Sequence, residues 1–257
     1  MKLAAVPLLC LLAFLSLGKA SPLWAQIVNT EALRLKEESD GWSGNIGVST
    51  SFSKNVDMIY IAGGNSRVQY KKGKSTFTLL GMYNLLEFND QFLRDEGYTH
   101  LRYSYDLNNW LVPEAFSQIQ TNSLQRLDYR VLNGLGVRLI AIADDSANFY
   151  LRPGTMQMFE YEVVENNDEI NRIFRNSSYL NIAWKVKDNL SISHTTYFQP
   201  NLEDLEDFRI LSDTQANFKI FQHLFFNVTY SLFYDTRPPE AVPTTFYSLS
   251  NGLTYKF

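Results

Sequence analysis

From Trp42 to Ser53 the chain alternates. The even positions are Trp42, Gly44, Ile46, Val48, Thr50 and Phe52, and the odd positions are small or polar, from Ser43 to Ser53. A period of two places the two sets on opposite faces of a β-strand. The pattern returns near the other end, where Leu224, Phe226, Val228, Tyr230, Leu232 and Tyr234 share one face, and again in Tyr247, Leu249, Leu253, Tyr255 and Phe257. Twelve such segments can be counted, beginning near Trp42, Met58, Ser75, Tyr98, Leu111, Arg126, Asn148, Ser177, Leu190, Phe208, Leu224 and Thr244. Pro153 and Gly154 interrupt the seventh and predict a bulge or a break there.

The connections alternate too. Lys71 to Lys74, Asn108 to Asn109, Ala141 to Ala147, Lys187 to Asn189 and Phe221 to His223 are on the short side. Leu86 to Gly97, Val163 to Phe174, Pro200 to Leu205 and Thr236 to Pro243 are longer. Only the connections near Lys54 and Ser123 are short where the pattern predicts length. An even number of strands with alternating turns and loops predicts an all-β fold: a closed, antiparallel, up-and-down transmembrane β-barrel of twelve strands.

A soluble antiparallel sheet also has one apolar face. The opposite face decides for a membrane barrel. In the sixth segment Leu127, Tyr129, Val131, Leu135, Val137 and Leu139 share a face with the lone polar residue Asn133, while Arg126, Asp128, Arg130, Gly134, Gly136 and Arg138 lie opposite. Such a row suits a polar lumen. Trp42, Tyr70, Tyr98, Trp184, Tyr234, Tyr247 and Tyr255 collect near segment ends, where interfacial girdles belong. No run after residue 20 approaches the roughly 20 apolar residues a membrane helix needs.

Composition adds location. The first residues, Met1-Lys2 and an apolar run from Leu3 to Leu17 followed by Gly18 and Ala20, read as a secretory signal peptide ending after Ala20 or Gln26. The expected organisation is a signal peptide over 1–26, a short polar lead-in over 27–40 and the barrel over 41–257. The one cysteine, Cys10, lies in this signal segment, so the remainder has no disulfide and no thiolate chemistry. Loss of residues 1–26 leaves 21 basic against 27 acidic residues, a net of −6, which excludes nucleic acid as a partner.

The chain ends Leu253-Thr254-Tyr255-Lys256-Phe257, alternating to a terminal aromatic. This resembles the C-terminal signature of bacterial outer-membrane barrels and implies that Phe257 is read by the barrel-assembly machinery. The run Arg130-Val-Leu-Asn-Gly-Leu-Gly-Val-Arg138, with Glu114-Ala-Phe-Ser-Gln118 upstream and Tyr197-Phe-Gln-Pro200 and Asp207-Phe-Arg-Ile210 downstream, resembles the YdiY-like family of salt-induced outer-membrane proteins of unknown function. The resemblance spans most of Gly41 to Phe257. It implies an outer-membrane barrel in contact with lipid, and carries no catalytic residues with it.

Candidate chemistry is sparse. His194 with Thr196 is the nearest match to the His and Ser of outer-membrane phospholipases, but threonine is the poorer nucleophile and no third group stands out. His194 falls on the apolar face, which requires a hydrogen-bond partner or a shifted phase. His100, near Asp95 and Glu96, reads as a solvated rim residue, and His223 as a residue of a tight turn. Three scattered histidines suggest no metal site, and no cofactor motif appears. The inward set is richer: Arg102, Glu114, Arg126, Asp128, Arg130, Arg138, Glu160, Glu162, Arg209 and Asp213 all fall on polar faces. They fit two arrangements, a charge-lined pore or a plug of salt bridges. Gly134 and Gly136 share that face and could make room for a crossing side chain. The acids Glu87, Asp90, Asp95, Glu96, Glu165, Asp168 and Glu169 are expected in outer loops. The resulting expectation is a monomeric, non-enzymatic barrel of the outer membrane, a passive channel or a structural barrel. The alternatives are an outer-membrane hydrolase and a soluble periplasmic β-barrel holding an apolar ligand.

Overall fold

The structure, a computed structural model, describes residues 40–54, 58–88, 91–164, 169–239 and 242–257. The expected signal peptide and the lead-in up to residue 39 lie outside the described residues. The strands, in chain order, are β1 (Gly41–Lys54), β2 (Met58–Lys72), β3 (Ser75–Phe88), β4 (Gln91–Tyr105), β5 (Leu111–Asn122), β6 (Leu127–Leu139), β7 (Ile142–Asp144), β8 (Phe149–Val164), β9 (Glu169–Lys187), β10 (Leu190–Pro200), β11 (Phe208–Lys219), β12 (Leu224–Asp235) and β13 (Thr245–Lys256). Neighbours pair antiparallel, β6 pairs with β8, and β1 meets β13, so the sheet closes as a barrel of twelve staves. The short β7 is a spur that pairs with β8 alone. Closure leaves no edge, the condition a sheet must meet in lipid.

The turns of one rim have local causes. Gly73 takes a φ of +56°, open to glycine, and its N–H donates to the Asp40 carboxylate at 3.0 Å. The Asn108 side-chain oxygen accepts from the N–H groups of Trp110 and Leu111, and the Asp144 carboxylate from those of Ser146 and Ala147. At the seam, Asn45–Val48 pair with Leu253–Lys256, and Gly44 and Phe257 exchange both backbone hydrogen bonds at 3.0 Å.

Ten of the twelve staves begin within a residue or so of the position expected from sequence. Two start earlier. β4 begins at Gln91 and β9 at Glu169, so much of the expected loops 86–97 and 163–174 is strand. Charges on both faces there mask the period, because the strands run on past the apolar band. Glu96, expected in a loop, is buried inside the barrel, and Asp95 faces outward. The expected break at Pro153 does not occur; β8 is continuous. Pro153 sits between the last pair with β6 (Arg138–Gly154) and the first with β7 (Ile142–Leu151), where its missing N–H leaves no ladder bond unmade.

The outer face is apolar, with Leu135 70%, Leu249 68% and Val48 63% exposed. Aromatic pairs mark both rims: Trp42–Tyr70 and Phe77–Tyr103 on the turn side, Tyr129–Tyr161 and Phe198–Phe208 on the loop side. Tyr98 does not belong to them. It alternates with buried Glu96 and His100 and so faces the interior. The interior is not uniformly polar either. Tyr179, Tyr197, Leu211, Phe233 and Phe246 pack together inside it, with Val242 from the last long loop against them.

Candidate functional site: the charged interior

Strand alternation aims the interior set, and two layers of ion pairs result. On the turn side Glu114 of β5 is the hub. It accepts from Arg138 Nε on β6 at 3.0 Å and from Ser104 Oγ on β4 at 2.9 Å, and Arg102 Nη1 lies 3.4 Å away. The hydroxyl of Tyr179 reaches it from β9 at 3.5 Å. That ring passes over Gly154, where a Cβ would lie 2.4 Å from it. Gly134 makes room in the same way for the ring of Phe116, which a Cβ would meet at 2.2 Å, whereas at Gly136 a Cβ would strike the Thr155 carbonyl and Met156.

On the loop side Glu160 of β8 is the hub. Arg209 of β11 donates to both of its oxygens, at 2.8 and 3.0 Å, across the interior. Arg130 and Arg175 each place Nε 3.5 Å from it. Glu162 accepts from Arg130, Asp235 accepts from Arg209 Nε at 2.8 Å, and Asp207 accepts from Arg175 Nη2 at 2.9 Å. Three guanidiniums are thereby matched to four carboxylates. Each group is nearly dry, and such a lattice is tolerable only because its members are mutually hydrogen-bonded.

Of the residues expected inside, Arg102, Glu114, Arg130, Arg138, Glu160, Glu162, Arg209 and Asp213 are buried there. Arg126 and Asp128 are not. Arg126 precedes β6, with a φ of +52° in the turn, and Asp128 is exposed. A register shift between Leu127 and Tyr129 reverses the phase at the start of the strand, so Leu127 points in and Asp128 out. Arg67, Glu96, Arg152, Arg175, Asp207 and Asp235 were missed, although all are buried. Arg175 lay at the edge of a stretch read as loop; its alternation with Ser177 and Tyr179 was the available clue.

The histidines resolve separately. His100 is not a rim residue. It is 2% exposed inside the barrel, stacked on Phe116 and bonded to Gln118 Oε1 at 2.8 Å. His194 does face outward, and it has the partners its position demands: Thr214 Oγ1 is 2.9 Å from Nδ1 and Thr196 Oγ1 is 3.0 Å from Nε2. His223 is exposed in its turn, with Nδ1 3.0 Å from the Lys256 carbonyl. Among the described residues no group of three or more His, Cys, Asp or Glu side chains is placed to hold a metal ion.

Among the described residues, a cavity enters the interior from each rim. The larger, about 270 Å³, opens on the turn side between Arg67, Lys71, Arg138, Tyr150 and Arg152; the smaller, about 10 Å³, lies on the loop side by Arg130, Glu162 and Asp235. The ion-pair layers and the aromatic cluster lie between them.

A family model described as "Protein of unknown function, DUF481" matches residues 46–257. The chain belongs to this family. No protein of curated function matches the DUF481 sequence. Among solved structures, the NanC porin shares its fold with a TM-score of 0.52 at 9% identity, over 84% of this chain and 100% of that one. The KdgM porin gives 0.46 at 10% identity, over 84% and 99%, and LpxR from Salmonella typhimurium 0.46 at 8%, over 84% and 100%. The DUF481 chain is thus a twelve-stranded barrel of the outer-membrane type, as the resemblance to the YdiY-like family implied.

Proposed function

We propose that this DUF481 protein is a non-catalytic outer-membrane barrel whose lumen is shut, a structural barrel in place of an open channel. One observation carries the reading: Arg209 grips Glu160 across the interior while both are almost fully buried. An ion crosses a pore through water, and the charged groups of a conducting lumen stay hydrated. Here they are dehydrated by one another. The NanC likeness supports the fold alone and leaves a closed interior compatible with it.

The hydrogen-bonded series Thr196–His194–Thr214 favours a second reading, acyl transfer at the lipid face. The surroundings speak against it. Thr214 is neutral and cannot stabilise an imidazolium, and the β10 amides are committed to ladders with β9 and β11, which leaves no donors for an oxyanion. Planar-bilayer recording with purified protein tests the proposal. The expected result is no steady current from the wild type and discrete openings from Glu160→Ala/Arg209→Ala. Steady ohmic conductance by the wild type would overturn it, and lipid hydrolysis abolished by His194→Ala would establish the second reading instead.

A further inference from the structure

Asn133, the single polar residue on the outer face of β6 between Tyr129 and Leu139, is exposed between Val131 and Leu135. It lies four residues below Tyr129 of the loop-side aromatic rim, which at ordinary strand rise and tilt is about 10 Å into the apolar band. Gln157 of β8 is exposed one step away, since Asn133 pairs with Phe159 and Gln157 with Leu135. Among the described residues neither amide has a hydrogen-bond partner. Their polar neighbours differ: Asn176 donates to Thr155 at 3.0 Å, and Ser178 donates to Asn176 at 2.7 Å. Two primary amides facing hydrocarbon without partners are costly, and polar side chains so placed act as glue between membrane segments.

Both amides line a recess in the outer face. This groove of about 600 Å³ runs over Ala115, Ser117 and Gly134 between the ridges of Leu101 and Phe174, and Leu135, 70% exposed, projects from its wall. Knob and groove thus lie side by side. An amide carries both donor and acceptor, so the same patch turned by a two-fold axis offers each amide its complement. We propose that the outer face of β5, β6 and β8 is the interface of a homodimer, in which Asn133 and Gln157 bond to their counterparts and Leu135 fills the partner's groove. The monomer expected from the sequence is the outcome that would overturn it.

Cross-linking in the outer membrane tests it. In a Cys10→Ala background, Ser117→Cys supplies one exposed thiol at the patch and Val48→Cys one on β1, far around the barrel. With a short bis-maleimide, Ser117→Cys should give a dimer of this chain and Val48→Cys should not. Adding Asn133→Leu and Gln157→Leu should lower the dimer yield at least tenfold while the barrel stays heat-modifiable on gels. Overturning outcomes are no dimer from Ser117→Cys, equal dimer from Val48→Cys, an adduct with a different protein, or a yield unchanged by the two leucines. Should the leucine variant fail to fold, the comparison of the two single cysteines decides the matter.

Discussion

Arg209 on β11 donates to both carboxylate oxygens of Glu160 on β8, three strands away around the wall, so the two side chains meet through the interior. The pair is a brace, and its energetics follow from burial. Glu160→Ala should destabilise the barrel by about 3–5 kcal/mol, because it takes the shared carboxylate from three guanidiniums in a dry space. Replacing both partners, as Glu160→Leu with Arg209→Met, should cost less than either single change. Urea unfolding in lipid vesicles, followed by tryptophan fluorescence, measures both; a double variant weaker than the sum of the singles would contradict the brace.

Gly134 and Phe116 form the second test. The ring stands where a Cβ on residue 134 would be, 2.2 Å away. Gly134→Ala should therefore cost about 1–3 kcal/mol of overpacking strain. Combining it with Phe116→Ala should recover part of that loss at position 134, visible as a positive coupling in a double-mutant cycle.

Tyr230, 45% exposed, lies between Thr214 and Leu249 on the outer face. Tyr230→Arg should cost about 2–4 kcal/mol near the midplane and reduce the heat-modifiable fraction on gels. An arginine accepted there without loss would mean that this face does not meet lipid.

Phe257 contributes in two separable ways. Its backbone closes the seam with Gly44, and its ring lies against that glycine, whose added Cβ would sit 2.7 Å from the ring. Deleting the residue removes both hydrogen bonds and should slow folding into detergent micelles as well as assembly in cells. Phe257→Ala keeps the backbone bonds, so refolding in micelles should be nearly normal. Assembly in cells should drop if the ring is what the assembly machinery reads.

The alternation of the staves was legible because period two is a local property, written residue by residue wherever one face meets lipid. It placed Arg130, Arg138, Glu160 and Arg209 on the interior face and left Asn133 conspicuous on the other. It failed where the period is broken or masked. The register shift at Leu127 sent Asp128 outward, and the charged strand ends around Glu96 and Arg175 read as loops. Which interior groups touch is a different kind of fact. Glu160 and Arg209 are 49 residues apart and share no ladder, so no spacing rule pairs them. Curvature of the closed wall turns the inward faces of β8 and β11 toward one another, and the two side chains meet there. Strand number and face were determined locally by the sequence; which interior groups meet was decided by the tertiary packing, because side chains from staves far apart in the chain converge there only when the barrel closes.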